Sequence, residues 1–142
     1  MADWIESYIE AWNRHDIETV LQFLTPDAVY TDYAIGESHH GHDDIRPFLQ
    51  SMESDLSSDY RFELVSFFAT ESRYAYEWIM RGTHDRGTDQ LPASGKPLEI
   101  HGVAVGTLQQ GKIRDHRDYW NMAEFLTQVG AMPAPGGAAA AQ

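Results

Sequence analysis

Gly111-Lys-Ile-Arg-Asp-His-Arg-Asp-Tyr-Trp-Asn121 is the stretch on which the reading of this chain turns. Gly111-Lys112 reads as a hairpin turn and the residues after it as a strand. A strand sends alternate side chains to opposite faces. Arg114, His116, Asp118 and Trp120 are therefore expected on one face, and Ile113, Asp115, Arg117 and Tyr119 on the other. Neither set has the aliphatic character of an ordinary core strand. One places an imidazole two residues from a carboxylate, with an indole beside it. That grouping suits a partly closed cavity in which a proton is moved.

Working outward, three more strands are expected, over residues 60–69, 73–83 and 98–108, from their β-rich composition and the turn residues between them. Trp4, Ile5, Tyr8, Ile9 and Trp12 fall at helical spacing and predict an amphipathic first helix. Asp16 is placed to cap a second helix with Ile17, Val20, Leu21 and Leu24 inward, ended by Thr25-Pro26-Asp27. A short strand over 28–32 points Ala28, Tyr30 and Asp32 to one face. A Gly- and His-rich loop follows, from Gly36 to His42. A third helix begins at Asp43 or Asp44 with Ile45, Phe48, Leu49 and Met52 inward, and a last short helix holds Met122, Phe125 and Leu126. Helices first and an antiparallel meander after them predict a single α+β domain over residues 1–131, a curved sheet wrapped around N-terminal helices. The Ala/Gly/Pro-rich residues 132–142 are expected to be a disordered tail.

Composition bounds the partners. Acidic residues number 22 against 10 basic, for a formal net charge of -12, which repels nucleic acid and anionic membrane surfaces and disfavours polyanionic substrates. The chain has no cysteine, so neither disulfides nor thiolate chemistry enter. The first residues lack the basic start and apolar run of a signal peptide, and a cytoplasmic location is expected. Four Trp, seven Tyr and six Phe either fill a core or line a pocket for an apolar ring system.

Three groups of residues resemble one family. They are Ala11-Trp-Asn-Arg-His-Asp16 followed by Pro26-Asp-Ala-Val-Tyr30; Gly41 with Ile45 and Phe48; and Gly111 through Asp118 followed by Gln128-Val-Gly130. Over about residues 4 to 130 the chain resembles the SnoaL-like polyketide cyclases of the nuclear-transport-factor-2-like (NTF2-like, ketosteroid isomerase-like) fold. The resemblance implies a cone-shaped domain and a cofactor-independent intramolecular aldol closure, with no metal, in which the aspartate at Asp118 is the general acid/base. Two helpers of the cyclase site differ here: the histidine of the neighbouring strand falls at Ala104 and an asparagine falls at Tyr30. Gly102, Ala104 and Gly106 share a face, so an open, small-residue pocket wall is expected there. The ketosteroid isomerases of the same fold use a tyrosine on the first helix and an aspartate after the first strand, which match Tyr8 and Asp32. Their third group falls near Val103.

The expected function is therefore acid–base chemistry on a hydrophobic, ring-rich ketone. Asp118 with His116 is the first catalytic pair and Asp32 with Tyr8 the second. Trp12, Tyr30, Trp78, Met80, His84, Ala104 and Trp120 are the expected substrate-binding set. Each has a structural alternative: Asp118 pairing with Arg114 or Arg117, His116 as a satisfied sheet histidine, Asp32 capping a loop, Tyr8 as core. His39, His40 and His42 are read as solvent-facing rather than metal-binding. A noncatalytic ligand-binding module and an epoxide hydrolase are the other functions the fold allows. His101, Val103, Val105 and Arg117 share the outer sheet face by parity, and a homodimer through that face is expected.

Overall fold

The structure, a computed structural model, describes residues 3–133. The expected disorder of the tail falls, from Ala134 on, outside the described residues. The elements are α1 (Asp3–Asn13), α2 (Ile17–Gln22), β1 (Leu24–Asp32), β2 (Glu37–His40), α3 (His42–Asp55), β3 (Arg61–Ala69), β4 (Arg73–Thr83), β5 (Pro97–Gln109), β6 (Lys112–Trp120) and α4 (Met122–Gln128). The strands form one curved, unclosed six-stranded sheet in the order β2-β1-β6-β5-β4-β3. Every pairing is antiparallel except β1 with β6, which is parallel. The helices pack into the concave side, where Tyr8, Val20, Leu21, Ile45, Leu49 and Ile100 are buried.

Local chemistry explains most boundaries. Asp16 caps α2 as expected, accepting from the Thr19 N–H at 3.2 Å and the Thr19 hydroxyl at 2.7 Å. The helix stops earlier than its apolar stripe implies, at Gln22. Pro26 disfavours helix in the residue before it, and the Phe23 carbonyl accepts from the Ile113 N–H of β6 at 2.8 Å. Leu24, expected on the helix, instead opens β1 and is 1 % exposed. The Gly- and His-rich segment is not all loop. Gly36 turns at φ +84°, and Glu37–His40 then pairs with β1 as an edge strand. Edge strands lean on one neighbour only, so they need no apolar alternation, and the sequence shows none there. His39 stacks on Phe48 with ring centroids 4.4 Å apart, and a ring nitrogen of His42 lies 3.1 Å from the Leu24 carbonyl.

The β5–β6 hairpin corrects the first reading in two ways. Its two-residue turn is Gln110-Gly111, both at positive φ (52° and 79°), one position earlier than expected. This is the primed turn whose twist matches the flanking strands. The register then slips: Leu108 pairs with Ile113, but Thr107 pairs with Asp115. Arg114 is the extra residue of a β-bulge. Ile113 consequently shares the inner face with His116 and Asp118, while Arg114 turns outward to Asp27 and Gln109. Strand parity holds from Asp115 onward and fails across the bulge.

Outside, Val103 and Tyr119 are exposed opposite one another on β5 and β6, and Tyr33 stacks on Tyr119. Among the described residues no helix is long and apolar enough to cross a membrane.

The bulge gives a simple expectation. Ile113→Ala should lower stability by about 2–5 kcal/mol, as for an aliphatic side chain removed from a packed core. Arg114→Ala should change it by less than about 0.5 kcal/mol. Urea unfolding of both variants checks this; the reverse order would restore unbroken parity.

Candidate active site

The inner faces of four neighbouring strands form a lattice of side chains. Reading across β4, β5, β6 and β1, one row is Tyr74, Gly106, His116 and Tyr30. The next is Tyr76, Ala104, Asp118 and Asp32. The row after that is Trp78, Gly102 and Trp120. Successive rows lie two residues apart along each strand, so all of these side chains point the same way.

The column contributed by β5 is Gly102, Ala104 and Gly106, and the expected open wall is absent there. A Cβ on Gly102 would sit 2.2 Å from the Trp78 ring, and one on Gly106 would sit 2.4 Å from the Tyr74 hydroxyl oxygen. Large side chains of β4 lean across the vacant column and reach β6. The Trp78 indole N–H donates to Asp118 Oδ1 at 3.3 Å, and the Tyr74 hydroxyl oxygen lies 2.6 Å from His116 Nδ1.

Asp118 is therefore heavily engaged. Its Oδ2 accepts from the Tyr30 hydroxyl at 3.0 Å and lies 3.1 Å from His116 Nε2. With Trp78 on Oδ1, three side chains hold this carboxylate. His116 is fully buried, sandwiched against the Tyr30 ring at 4.4 Å. The arrangement is self-consistent with the imidazole proton on Nε2, given to Asp118, and Nδ1 accepting from Tyr74. Burial pushes the phenols of Tyr30, Tyr74 and Tyr76 well above their ordinary range, so all three remain O–H donors.

Asp32 stands beside Asp118 and is held by fewer side chains. The Trp120 indole N–H donates to both its oxygens, at 3.1 and 2.9 Å, and the Ile35 N–H to Oδ1 at 3.0 Å. Burial raises its pKa above the usual carboxylate value; the indole and backbone donors oppose this, and the negative charge of Asp118 adds to it.

A cavity of about 260 Å³ lies between this lattice and the helices. Asp32, Asp118, Tyr30, Trp12, Trp78, Met80 and Trp120 all line it, as does Tyr76, absent from the sequence-based set. Its signal was present in the alternation of 74, 76, 78 and 80 along β4. Phe48 and Phe62 contribute further rings, and the exposed lining residues Ile35, Asp55 and Thr88 mark the mouth.

Four expected site residues lie outside the lining. His116 sits behind Asp118 and reaches the cavity only through it. Ala104 is wholly buried beneath the lattice. Tyr8 is core: its ring packs edge-on against Trp4 and Phe23, and its buried hydroxyl has no hydrogen-bond partner. His84 packs behind Phe125. Its Nδ1 accepts from the Ser94 N–H at 3.1 Å and so pins the loop that carries Thr88 and Leu91 to the mouth. Burial lowers its pKa, which keeps the ring neutral for that role.

The SnoaL-like domain family matches residues 5–116 of the chain. The chain belongs to the SnoaL-like family. Among solved structures, this SnoaL-like chain is similar to a candidate polyketide cyclase of Xanthomonas campestris pv. campestris at 28% identity and TM-score 0.75, over 88% of this chain and 93% of that one. It is also similar to AclR, a candidate hydroxylase of Streptomyces galilaeus, at 24% identity and TM-score 0.76, over 95% and 88%. A Catenulispora acidiphila protein of ketosteroid isomerase-like fold, crystallised with trimethylamine, aligns at TM-score 0.80 and 14% identity, over 93% and 95%. These likenesses carry the NTF2-like fold. No curated protein matches the chain. The family match ends at His116, so Asp118 and Trp120 stand just beyond it.

Two tests follow from this geometry. Gly102→Ala should cost about 1–3 kcal/mol, because the new methyl drives the Trp78 ring away from Asp118; denaturant unfolding reads the loss. The second concerns pH. Asp32 has a folded pKa above its unfolded one, so its ionisation opposes folding: the penalty is absent below the unfolded value of about 3.9 and complete once pH has risen through the folded value. Asp32→Asn should therefore melt higher than the parent at pH 7, with the gap closing as pH falls toward 4. An equal or larger gap in acid contradicts the assignment.

Proposed function

We propose that the chain is a cofactor-independent acid–base enzyme acting on a hydrophobic, ring-rich ketone. The chemistry is that of a polyketide cyclase (intramolecular aldol closure) or a ketosteroid isomerase. One observation carries the reading: two carboxylates at paired positions of β1 and β6 converge on a single cavity walled mainly by aromatic and aliphatic side chains.

Within this proposal Asp32 takes the proton next to the ketone. One side chain, the Trp120 indole, holds it where three hold Asp118, and its raised pKa brings proton affinity closer to that of the substrate. Tyr76, which keeps its proton and lines the cavity, donates to the carbonyl oxygen as it becomes an enolate oxygen. The C–H electron pair moves into the carbonyl and the proton rests on Asp32. Asp118, steadied by Tyr30, Trp78 and His116, is the second carboxylate, which handles the proton of the following step. Ring closure, double-bond migration and loss of water all begin from that enolate.

A simple bicyclic ketone such as 2-tetralone tests the common first step. The protein should catalyse exchange of its α-protons with heavy water, followed by NMR. Asp32→Asn should slow this about 10²–10⁴-fold while the protein remains folded. The rate should fall as pH drops through the raised Asp32 pKa, an acid limb lying above the ordinary carboxylate value of about 4. Exchange that survives at both Asp32→Asn and Asp118→Asn would refute the enzyme reading in favour of a noncatalytic binding module.

A further inference from the structure

We propose that the natural ligand of this cavity carries a positively charged, alkylated nitrogen, a protonated tertiary amine or a quaternary ammonium, attached to its ring system. This deepens the reading above and rests on the same cavity being the ligand site.

The argument begins with what lines the cavity. Phenols aside, every acidic or basic side chain at its wall is a carboxyl group: Asp32 and Asp118 inside and Asp55 at the mouth. Among the described residues, no lysine, arginine or histidine lines it. The groups that satisfy the inner carboxylates from the lining are neutral donors, the Tyr30 hydroxyl and the indoles of Trp78 and Trp120. His116 meets Asp118 from behind and is fully buried. On the Asp32 side no cation answers the carboxylate, and that is the side whose pKa burial pushes up.

The second observation is the wall itself. Trp12, Trp78, Trp120, Tyr30, Tyr76 and Phe62 all contribute rings to the same enclosed space. Aromatic faces carry negative quadrupole potential and attract cations, most of all when water is excluded. The remaining wall is mainly apolar, including Ile9, Leu49 and Ile100, with the Ser51 and Thr88 hydroxyls its other polar side chains besides Asp55. A primary ammonium brings three N–H donors, and away from the carboxylates this mainly apolar wall holds few acceptors for them. An alkylated ammonium brings few or none and is matched by rings and a carboxylate together. A net charge of -12 further concentrates cations and repels anions at the mouth. Entry of the cation also favours ionised Asp32, so the ligand places its own base in the proton-accepting form.

The test compares three probes of one shape by calorimetry on the full chain: benzyltrimethylammonium, its carbon isostere neopentylbenzene, and the anion phenylmethanesulfonate. The cation should bind at least about tenfold more tightly than the neutral isostere, from ring and carboxylate attraction together. The sulfonate should not bind. In Asp32→Asn, whose side chain still accepts from Trp120 and Ile35, the cation's advantage should shrink at least about threefold. Equal or tighter binding of the neutral isostere overturns the proposal, as does failure of the cation to bind at millimolar concentration. A cation preference unchanged in Asp32→Asn and in Asp118→Asn places the cation on the acidic surface and also overturns it. Should a variant not fold, the wild-type comparison of the three probes still decides. The exchange assay above uses an uncharged ketone, so loss of the cation preference with exchange intact rejects this inference alone. A cation preference without exchange rejects catalysis alone.

Discussion

The site depends on an absence of bulk. Gly102, Ala104 and Gly106 leave the inner face of β5 nearly bare, and side chains of β4 occupy the space above it. Neighbouring strands are about 4.8 Å apart, so residues two strands away are ordinarily out of hydrogen-bond reach. Here Trp78 and Tyr74 cross the bare column and meet Asp118 and His116 directly. A larger residue at Gly102 or Gly106 would push the β4 ring off its β6 partner and leave buried polar groups without partners, at a cost of about 1–3 kcal/mol for each group. The column turns three strands into one hydrogen-bonded surface.

That surface makes two aspartates unlike each other. Asp118 lies at the centre of the lattice, within reach of donors from β1, β4 and β6. Asp32 lies on the next strand outward, where an indole and one backbone N–H serve it, and burial dominates its proton affinity. The two share one cavity and differ in which donors the fold brings to each, three side chains at Asp118 and one indole with backbone N–H donation at Asp32. Chemically equivalent side chains with different surroundings are what acid–base catalysis by paired carboxylates requires. The same lining holds carboxylates and aromatic rings and, among the described residues, no basic side chain.

The NTF2-like fold is common to proteins of differing activity, and likeness of fold does not transfer chemistry. The family match covers α1 through most of β6 and stops short of Asp118 and Trp120. Tyr30 is informative here. Where the resemblance places an asparagine, this chain has a phenol that donates to Asp118 and stacks on His116.

Much of this was legible in the chain itself. Long strands with two-residue periodicity, the helix of Trp4 to Trp12 and the Asp16 cap arise from local spacing and local hydrogen bonds, and they appear where expected. The inward direction of Tyr30, Asp32, His116 and Asp118 follows from strand parity, a local rule. Three things required the tertiary structure. The bulge at Arg114 reverses parity because register is a property of two strands, not one. The edge strand β2 forms because β1 offers it a partner, though its own residues carry no apolar pattern. The small-residue column looks empty along β5 and proves filled, because the rings that occupy it belong to β4. Local chemistry determined which side chains face inward; only the packing of strand on strand decided which of them touch, and so which donors each carboxylate receives.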